Sequence, residues 1–439
     1  MKNSLTTLIL LLLATTVSSA QSFQSKKLDS LFTLLEQNDK FMGSISVSEN
    51  QNTIYEKSIG FSDLENGIKT SNTTKYRIGS ISKIFTSTLI FKAIEDGKLE
   101  LDKTIETFFP NLENAKTITI KNLLNHSSGI HDFTNDENYL EWNTLPQSKD
   151  KMIERIVNGE TEFNPNEKNE YSNSNYLLLT FILEQIKKKP FSEILNSQII
   201  KPLKLENTYY GRETNIAENE SFSYKYAGKW QKETETDMSI PQGAGAIVSN
   251  PSDLNRFLDQ LFFGKIISEK SLKQMKTITN GYGMGLFEFP YDEKVSFGHT
   301  GGIDGFMSVS SYFPEEKLSI SLTSNGTNFK NNNILLAVLA TYFNDEFELP
   351  NFDQLELSSE DLDKFLGKYS SEQIPPKIDI TKDGSSLFAQ ATGQGAFPLE
   401  PTEENVFTFD QAGVKIVFNP SEKTMVLFQG GGEFLFKAE

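Results

Sequence analysis

The chain has 439 residues, a formal net charge of −17 at pH 7 and no cysteine. Its length suits two domains, and its acidity excludes the basic face with which proteins bind nucleic acids or anionic membranes. The lack of cysteine excludes disulfide bonds, thiolate nucleophiles and zinc sites built on cysteine. The composition therefore indicates a globular protein of two domains with no nucleic-acid partner.

The first residues have the pattern of an export signal. Lys2 precedes a short apolar run, and small residues stand at Ser18 and Ala20, which is typical of a cleavable signal peptide. The apolar run is shorter than the roughly 20 residues that a membrane span needs. We predict that residues 1–20 are a signal peptide and that the protein is exported, periplasmic or secreted, with no membrane span after cleavage.

The pattern of apolar residues then predicts local structure in chain order. Residues 28–37 have the period of an amphipathic helix, and residues 43–61 alternate like a two-stranded hairpin. A helical run begins at Ser80 and ends at Gly97, since glycine is the usual residue after a helix. Residues from about 100 to 240 read as mixed helices and loops.

Strands return after this helical middle. Pro251 predicts the first turn of another helix, with Asn250 or Ser249 as its N-cap. Strand-like segments follow at 294–300, 308–313 and 317–324. Strands before and after a long helical region predict an α+β fold, with an antiparallel sheet flanked by helices and an inserted, mostly helical lobe.

A second domain is predicted at the end of the chain. Residues 346–361 are acidic, contain Pro350 and lack a clear period, so we expect a linker between a first domain at 21–345 and a second at 362–439. The second domain alternates with period two between Gly, Asn and Pro turns, which predicts a small all-β domain, closed or nearly closed into a barrel. The alternating segments are 377–382, 386–392, 405–410, 414–419, 423–429 and 432–438.

The segment IGSISKIF, residues 78–85, places two serines beside Lys83. Residues three apart share a helix face, whereas residues two apart lie nearly opposite, so Ser80 and not Ser82 shares the face of Lys83. A neutral lysine can accept the proton of a serine hydroxyl, and the first turn of a helix favours the developing negative charge. Ser80 is therefore the candidate nucleophile and Lys83 its base.

Two later segments are candidates to complete a site. Tyr171 is a potential acid or base, and Asn173 can donate to a substrate carbonyl. His299-Thr300-Gly301-Gly302 follows a predicted strand, and its small residues would let a substrate backbone lie alongside.

Both motifs recur elsewhere in the chain. Ser148 and Lys151 repeat the serine–lysine spacing, and Tyr342 repeats the Tyr-x-Asn pattern. Ser148 would leave too little chain before Tyr171 for an inserted lobe, and Tyr342 lies beyond the predicted sheet. Chain order therefore favours the copies at Ser80 and Tyr171.

Together these segments resemble the penicillin-recognising serine hydrolases, in particular the branch of class C β-lactamases and D-alanyl-D-alanine carboxypeptidases. The resemblance covers roughly residues 25–345. It rests on YRIGSISKIFTSTLI, ITIKNLLNHSSGI, FNPNEKNEYSNSNYLLL, GAGAIVSNPSDL and FGHTGGIDGF. The β-domain is similar to the C-terminal barrels that many such relatives carry.

The resemblance implies acyl transfer through a covalent ester, with no metal or other cofactor. It makes Ser80 the acylated nucleophile, Lys83 its proton partner and Tyr171 a second acid or base. It also implies an oxyanion hole formed by the backbone N–H groups of Ser80 and Gly302.

The same resemblance assigns substrate-binding residues. Asn173 would orient the substrate amide, and His299, Thr300 and Gly301 would hold the substrate's carboxylate or a neighbouring polar group. Most class C β-lactamases resemble this pattern with lysine where His299 stands. Because histidine is mostly neutral above its ordinary pKa of about 6.5, the sequence favours the peptidase and esterase relatives over a β-lactamase.

The other histidines and the polar loop segments are expected to have supporting roles. His126 is expected to brace a turn, and His131 and Asp132 are expected to form a surface pair. A catalytic triad of Ser80, His299 and Asp304 is disfavoured, because Lys83 already takes the role of the base. The polar segments 131–150 and 211–237 are expected to form the pocket rim and set specificity.

We therefore predict an exported serine hydrolase that forms an acyl-enzyme on amide or ester bonds of a small-molecule or peptide substrate. D-amino-acid peptides of cell-wall type are the expected substrates. The alternatives are a carboxylesterase or β-lactamase of the same fold, or a non-catalytic module that holds peptide or glycan.

Overall fold

The computed structural model describes residues 23–352, 355, 357–409 and 412–439. The predicted signal peptide, residues 1–20, lies outside this part of the chain. Within it, no helix has the length and apolar character needed to cross a lipid bilayer.

The helices lie mainly between the first and the later strands. The α-helices are α1 (Lys26–Gln37), α2 (Ser82–Glu95), α3 (Ile120–Leu124), α4 (Tyr139–Trp142), α5 (Lys149–Asn158), α6 (Asn173–Lys187), α7 (Phe191–Leu195), α8 (Lys201–Leu203), α9 (Gln242–Gly245), α10 (Pro251–Phe262), α11 (Glu269–Met275) and α12 (Asn331–Phe343). Short 3₁₀ turns lie at Gly79–Ile81, Ile105–Thr107, Phe133–Asn135, Ile216–Glu218 and Asp363–Phe365, and a π-helical turn lies at Asn196–Ile200. Asn250 caps α10, as the Asn-Pro pattern predicted, because its side chain accepts a hydrogen bond from Asp253 N at 3.0 Å.

The strands form a central sheet, three small sheets and a barrel. The first domain has β1 (Phe41–Glu49), β2 (Asn52–Ile59), β3 (Phe61–Asp63), β4 (Ile68–Lys69), β5 (Tyr76–Arg77), β6 (Tyr209–Tyr210), β7 (Tyr224–Tyr226), β8 (Trp230–Lys232), β9 (Ile247–Ser249), β10 (Phe287–Tyr291), β11 (Lys294–Ile303), β12 (Phe306–Phe313) and β13 (Leu318–Thr327). The barrel has β14 (Gly367–Ser370), β15 (Ile378–Asp383), β16 (Ser386–Ala391), β17 (Phe397–Glu403), β18 (Val406–Phe409), β19 (Val414–Asn419), β20 (Thr424–Gln429) and β21 (Gly432–Ala438).

The central sheet joins the two ends of the first domain. Its strands are antiparallel in the order β10-β11-β12-β13-β1-β2. The hairpin β1–β2 comes before the helical lobe and the other four strands come after it, with β13 pairing with β1. The predicted α+β fold, one sheet with an inserted helical lobe, is confirmed.

Serine alternates with apolar residues along β1 and β13, so the two faces of the sheet differ. Ile45 and Leu322 are paired across these strands and belong to the apolar core shared with α1 and α12. Ser46 and Ser321 are paired on the other face, where α10 packs. These small side chains let α10 approach the sheet closely enough for Asn255 Nδ2 to donate to Ser46 O at 2.9 Å.

A buried carboxylate lies in this contact between α10 and the sheet. Asp259 accepts hydrogen bonds from Ser48 Oγ at 3.3 Å and from Ser319 Oγ at 3.0 Å. Burial raises the pKa of Asp259 to about 6, although the two serine hydrogen bonds act in the opposite direction. Because the pKa is higher in the folded than in the unfolded chain, the penalty of this carboxyl group on folding is absent below about pH 4, grows as the pH rises and is complete above about pH 6.

Replacing Asp259 with asparagine is expected to stabilise the protein at neutral pH. At pH 7.5 the free energy of unfolding in Asp259→Asn rises by on the order of 1 to 3 kcal/mol, because the buried charge is removed. At pH 4 the gain disappears, since the wild-type carboxyl is then protonated in the folded protein. Urea unfolding at both pH values measures this, with Asp102→Asn on an exposed turn as the control; a gain of equal size at both pH values would contradict it.

The C-terminal strands form a closed barrel, because β14 pairs with β21. Its core includes Phe365, Phe407 and Phe418. Two of its strands were missed in the sequence: β14 has only four residues, and β17 contains Pro398 and Pro401, which interrupt the alternating pattern. The pairing of β17 with β16 is short, and its pairing with β18 shifts register after Pro401.

One carboxylate of the barrel contacts the first domain. Glu400, on β17, forms an ion pair with buried Lys40 and accepts a hydrogen bond from Asn328 Nδ2 at 3.1 Å. Lys40 directly precedes β1, and Asn328 follows β13. The barrel therefore rests against the end of the central sheet at which β1 begins and β13 ends.

Candidate active site

Ser80 and Lys83 lie at the junction of the Gly79–Ile81 turn and α2. Lys83 Nζ is 3.0 Å from Ser80 Oγ, and it donates at 2.8 Å to both Asn173 Oδ1 and Ala244 O. Ser82 points elsewhere, because its hydroxyl accepts a hydrogen bond from the backbone of Ile247. The three-residue spacing therefore places Ser80, and not Ser82, on the lysine.

The environment of Lys83 favours its neutral form. The side chain is fully buried. Burial lowers the pKa of Lys83 from its ordinary range to about 7, and the negative charge of Asp132 raises it in part. A substantial fraction of the amine is thus unprotonated at neutral pH and able to accept the proton of Ser80.

Tyr171 lies over this pair and is held by a histidine. Lys83 Nζ is 4.9 Å from the centre of the Tyr171 ring, and the ring of His126 stacks on Tyr171 at 4.5 Å. His126 Nδ1 accepts a hydrogen bond from Ser172 N at 3.1 Å, which matches its expected bracing role. Burial raises the pKa of Tyr171 above its ordinary value, and the Ser80 side chain acts in the opposite direction. The phenol therefore keeps its proton at neutral pH and suits a donor role.

Asn173 is held by a carboxylate that the sequence interpretation missed. Asp132 Oδ2 accepts from Asn173 N at 3.0 Å and from Asn173 Nδ2 at 2.9 Å. The expected surface pair with His131 is wrong for Asp132, which is 7% exposed, whereas the His131 ring bonds to Glu162 and Asp136. No local pattern marks this contact, because Asp132 and Asn173 are 41 residues apart in the chain.

Asp132→Asn is expected to slow acylation and to change its pH dependence. The substitution removes the charged acceptor of Asn173, so the acylation rate falls by on the order of tenfold. It also removes the charge that raises the Lys83 pKa, so the acid limb of the pH–rate profile moves to lower pH. Stopped-flow acylation from pH 5 to 9 measures both effects, with Asp136→Asn as the neighbouring control. An acid limb that stays in place would contradict the assignment of Asp132 as a positioning residue.

The end of β11 meets the Ser80 turn backbone to backbone. β10 pairs with β11 only as far as Phe287 opposite Gly298, so the following segment of β11 has a free edge. A Cβ atom on Gly301 would lie 2.0 Å from Ile78 O, and one on Gly79 would lie 2.8 Å from Gly302 N. Only glycines permit this approach, which brings the N–H groups proposed for the oxyanion hole to one side of the same cavity.

His299 lies behind the cavity and does not line it. The ring is 2% exposed and packs edge-on against Phe287 at 4.8 Å. Burial lowers the pKa of His299 to about 3, and the charge of Lys83 lowers it further. The Nδ1–H donates to Thr300 O, and Nε2 has no partner among the described residues. The imidazole is therefore neutral and buried beside the cavity, and its role in holding a substrate carboxylate or a neighbouring polar group stays a prediction.

Thr300 points to the opposite face of the sheet. It pairs with Val309, and both line a separate groove toward α12 and the barrel. Because successive side chains on a strand alternate between faces, the Thr300 side chain lies away from the Ser80 cavity, and the role of Thr300 in substrate binding stays a prediction. Asp304 does not form a triad with His299, because its carboxylate accepts hydrogen bonds from Arg77 and Thr236.

The cavity at Ser80 has a volume of about 410 Å³. Both polar segments that were expected at the rim contribute to it, 131–150 and 211–237. The lining residues are Gly79, Ser80, Phe133, Thr134, Tyr139, Leu140, Asn143, Asn173, Glu233, Thr234, Thr236, Pro241, Ala244, Gly245, Gly302, Ile303 and Asp304. The cavity is large enough for an amino-acid residue together with a small leaving group.

Comparison with known proteins agrees with this geometry. The family model described as Beta-lactamase matches residues 33–341. A penicillin-binding protein of Bacillus subtilis (strain 168) is 24% identical over 444 residues, covering 93% of this chain and 97% of the relative. The teichoic acid D-alanine hydrolase of Staphylococcus aureus (strain MRSA252) is 26% identical over 306 residues, covering 66% of this chain and 72% of the relative.

A solved structure shares the fold of the first domain. The D-amino acid amidase from Ochrobactrum anthropi SV3 superimposes with a TM-score of 0.65 and 26% identity, covering 72% of this chain and 99% of that one. The family model covers most of the chain and includes the Ser80–Lys83 pair. The chain therefore belongs to the beta-lactamase family of serine hydrolases.

Proposed function

We propose that the protein hydrolyses amide or ester bonds of D-amino-acid compounds of cell-wall type, through an acyl-enzyme on Ser80. The observation that carries the proposal is the contact of 3.0 Å between Ser80 Oγ and a buried lysine whose pKa is about 7. Every other group that acyl transfer needs lines the same cavity or packs directly behind it.

In the first step, Ser80 Oγ attacks the substrate carbonyl carbon while its proton passes to neutral Lys83 Nζ. The carbonyl oxygen becomes negative and receives hydrogen bonds from the N–H groups of Ser80 and Gly302. Asn173 and Ala244 O hold the lysine in line with the hydroxyl. The neutral amine uses its two N–H groups on these acceptors, so its lone pair is left for the Ser80 hydroxyl before substrate arrives.

In the second step, the bond from carbon to the leaving group breaks and the leaving nitrogen or oxygen takes a proton. Tyr171 suits this role, because its raised pKa keeps the phenol protonated and its ring lies over Lys83. The Lys83 ammonium returns a proton to Tyr171. Water then attacks the ester carbon while its proton passes to neutral Lys83 Nζ, and the Ser80 oxygen takes that proton back from the Lys83 ammonium as the ester bond breaks.

The choice of D-amino-acid substrates is supported by the relatives. One relative is named a teichoic acid D-alanine hydrolase and one solved neighbour a D-amino acid amidase. The buried His299 argues against the β-lactamase alternative, in which a cation is expected to face the ligand carboxylate. The expected export of the chain would place the enzyme among cell-wall compounds.

Intact-mass spectrometry with a substrate panel tests the proposal. The protein is mixed with D-alanine amide, a D-alanyl ester, D-Ala-D-Ala, benzylpenicillin and p-nitrophenyl acetate, and the mass is followed over time. A transient adduct with the D-alanyl compounds, with release of D-alanine, is expected. An adduct with p-nitrophenyl acetate alone would favour the carboxylesterase alternative, and rapid turnover of benzylpenicillin the β-lactamase. A fluorophosphonate probe that fails to label the protein would favour the non-catalytic module.

A further inference from the structure

The charged side chains that line the Ser80 cavity are all acidic. Its charged lining residues are Glu233 and Asp304, and no lysine or arginine is among the lining residues that the structure describes. Lys83 contacts Ser80 but is not among the lining residues, and a substantial fraction of its amine is neutral near pH 7. The described lining therefore holds no cationic side chain to pair with a substrate carboxylate.

Arg77 lies near the cavity but is not available to bind a substrate carboxylate. Arg77 is buried and donates to Thr236 O at 2.8 Å, to Asp304 at 3.1 Å and to Arg212 O at 3.1 Å, and it pairs with Glu235. Turning its guanidinium toward the cavity would leave the buried carboxylate of Asp304 and the half-buried carboxylate of Glu235 without this partner, which is costly. Its charge is thus committed to structure.

Glu233 differs from the other carboxylates of the cavity. Asp304 is fully engaged, with Arg77 on one oxygen and the N–H and hydroxyl of Thr236 on the other. Glu233 has a single ion pair, with Lys225 Nζ at 2.8 Å, and the lysine side chain is 61% exposed. A glutamate at a cavity wall that is paired through one oxygen with an exposed lysine has acceptor capacity left for a ligand.

We propose that the acyl part of the natural substrate carries a free ammonium group and no carboxylate, and that Glu233 binds this ammonium. The inference rests on the proposed function and narrows it to amino-acyl amides or esters with a free α-amine. Tyr139 and Phe133, two aromatic residues of the kind that attract cations, line the same cavity. Dipeptides that end in a carboxylate, and β-lactams, fit this charge pattern poorly.

The test uses three boronic acids, which form a reversible bond with a nucleophilic serine and need no turnover. The probes are 3-aminomethyl-, 3-methyl- and 3-carboxyphenylboronic acid, and dissociation constants are measured at low salt for the wild type, Glu233→Gln and Lys225→Gln. In the wild type the aminomethyl probe is expected to bind about tenfold more tightly than the carboxy probe.

The two variants are expected to change this ratio in opposite directions. Glu233→Gln lowers the ratio to about threefold or less, whereas Lys225→Gln raises it because it releases Glu233 from its surface partner. The neutral methyl probe binds all three proteins alike. A merely structural role of Glu233 would weaken all probes together and would not give opposite signs.

Failure of this inference is distinguishable from failure of the proposed function. A carboxy probe that binds the wild type as tightly as the aminomethyl probe, or a ratio that is unchanged in Glu233→Gln, overturns the ammonium site. If no boronate binds although a fluorophosphonate labels Ser80, the inference falls alone. If the fluorophosphonate also fails, both proposals fall.

Discussion

Ser80→Ala is expected to abolish covalent labelling by a fluorophosphonate and to lower hydrolysis of D-alanyl substrates by about 10⁴-fold or more. The hydroxyl of Ser80 is the group that Lys83 contacts at 3.0 Å, and without it no ester can form. Intact-mass spectrometry and steady-state kinetics measure both effects. Circular dichroism is expected to match the wild type, since the Ser80 side chain lies at the cavity and not in the core.

The chain offers a matched control for this substitution. Ser148 has the same spacing to Lys151, but its side chain caps α5 by accepting a hydrogen bond from Lys151 N at 3.2 Å. Ser148→Ala therefore removes a helix cap, at a cost of about 1 kcal/mol, and retains full labelling. Labelling that persists in Ser80→Ala, or that is lost in Ser148→Ala, would refute the assignment of the nucleophile.

Lys83→Met is expected to have the second-largest effect. It removes the proton acceptor from a buried position of similar volume, so acylation falls by on the order of 10²- to 10⁴-fold. In the wild type, acylation rises with pH through about 7, the pKa to which burial lowers Lys83, because only the neutral amine accepts the proton. This limb is expected to disappear in the variant. Single-turnover acylation between pH 5 and 9 measures the profile.

Lys83→Arg separates the need for a base from the need for a charge. An arginine keeps its proton at every accessible pH, so the variant is expected to be as slow as Lys83→Met. Activity in Lys83→Arg near the wild-type level would indicate that a fixed cation at this position is sufficient. Such a result would contradict proton transfer to a neutral lysine.

Features that depend on local sequence were predictable. The pairing of Ser80 with Lys83 follows from helix geometry alone, and the cap at Asn250 follows from its proline neighbour. The alternation of serine with large apolar residues in β1 marks a strand with two different faces. Each of these patterns is complete within about ten residues.

Features that depend on distant contacts were not predictable in the same way. The burial of Asp132 depends on α6 arriving beside it, and no neighbouring residue marks its contact with Asn173. The direction of Thr300 depends on the register of β11 with β12, which a motif of four residues does not contain. The two prolines of β17 give that segment the sequence pattern of a loop. Its strand pairing depends on the neighbouring strands of the barrel, which the local pattern does not show.

The contact between the Gly79 turn and Gly302 has a consequence for the newly made protein. Ser80 and Gly302, the two residues proposed to form the oxyanion hole, lie more than two hundred residues apart in the chain. A nascent chain that has left the ribosome only as far as α10 carries its nucleophile and lysine but has no β11 to complete the pair. Such high contact order makes this assembly slow compared with helix formation. The proposed acylation activity of Ser80 is therefore acquired late in folding, when β11 packs against the turn that precedes α2.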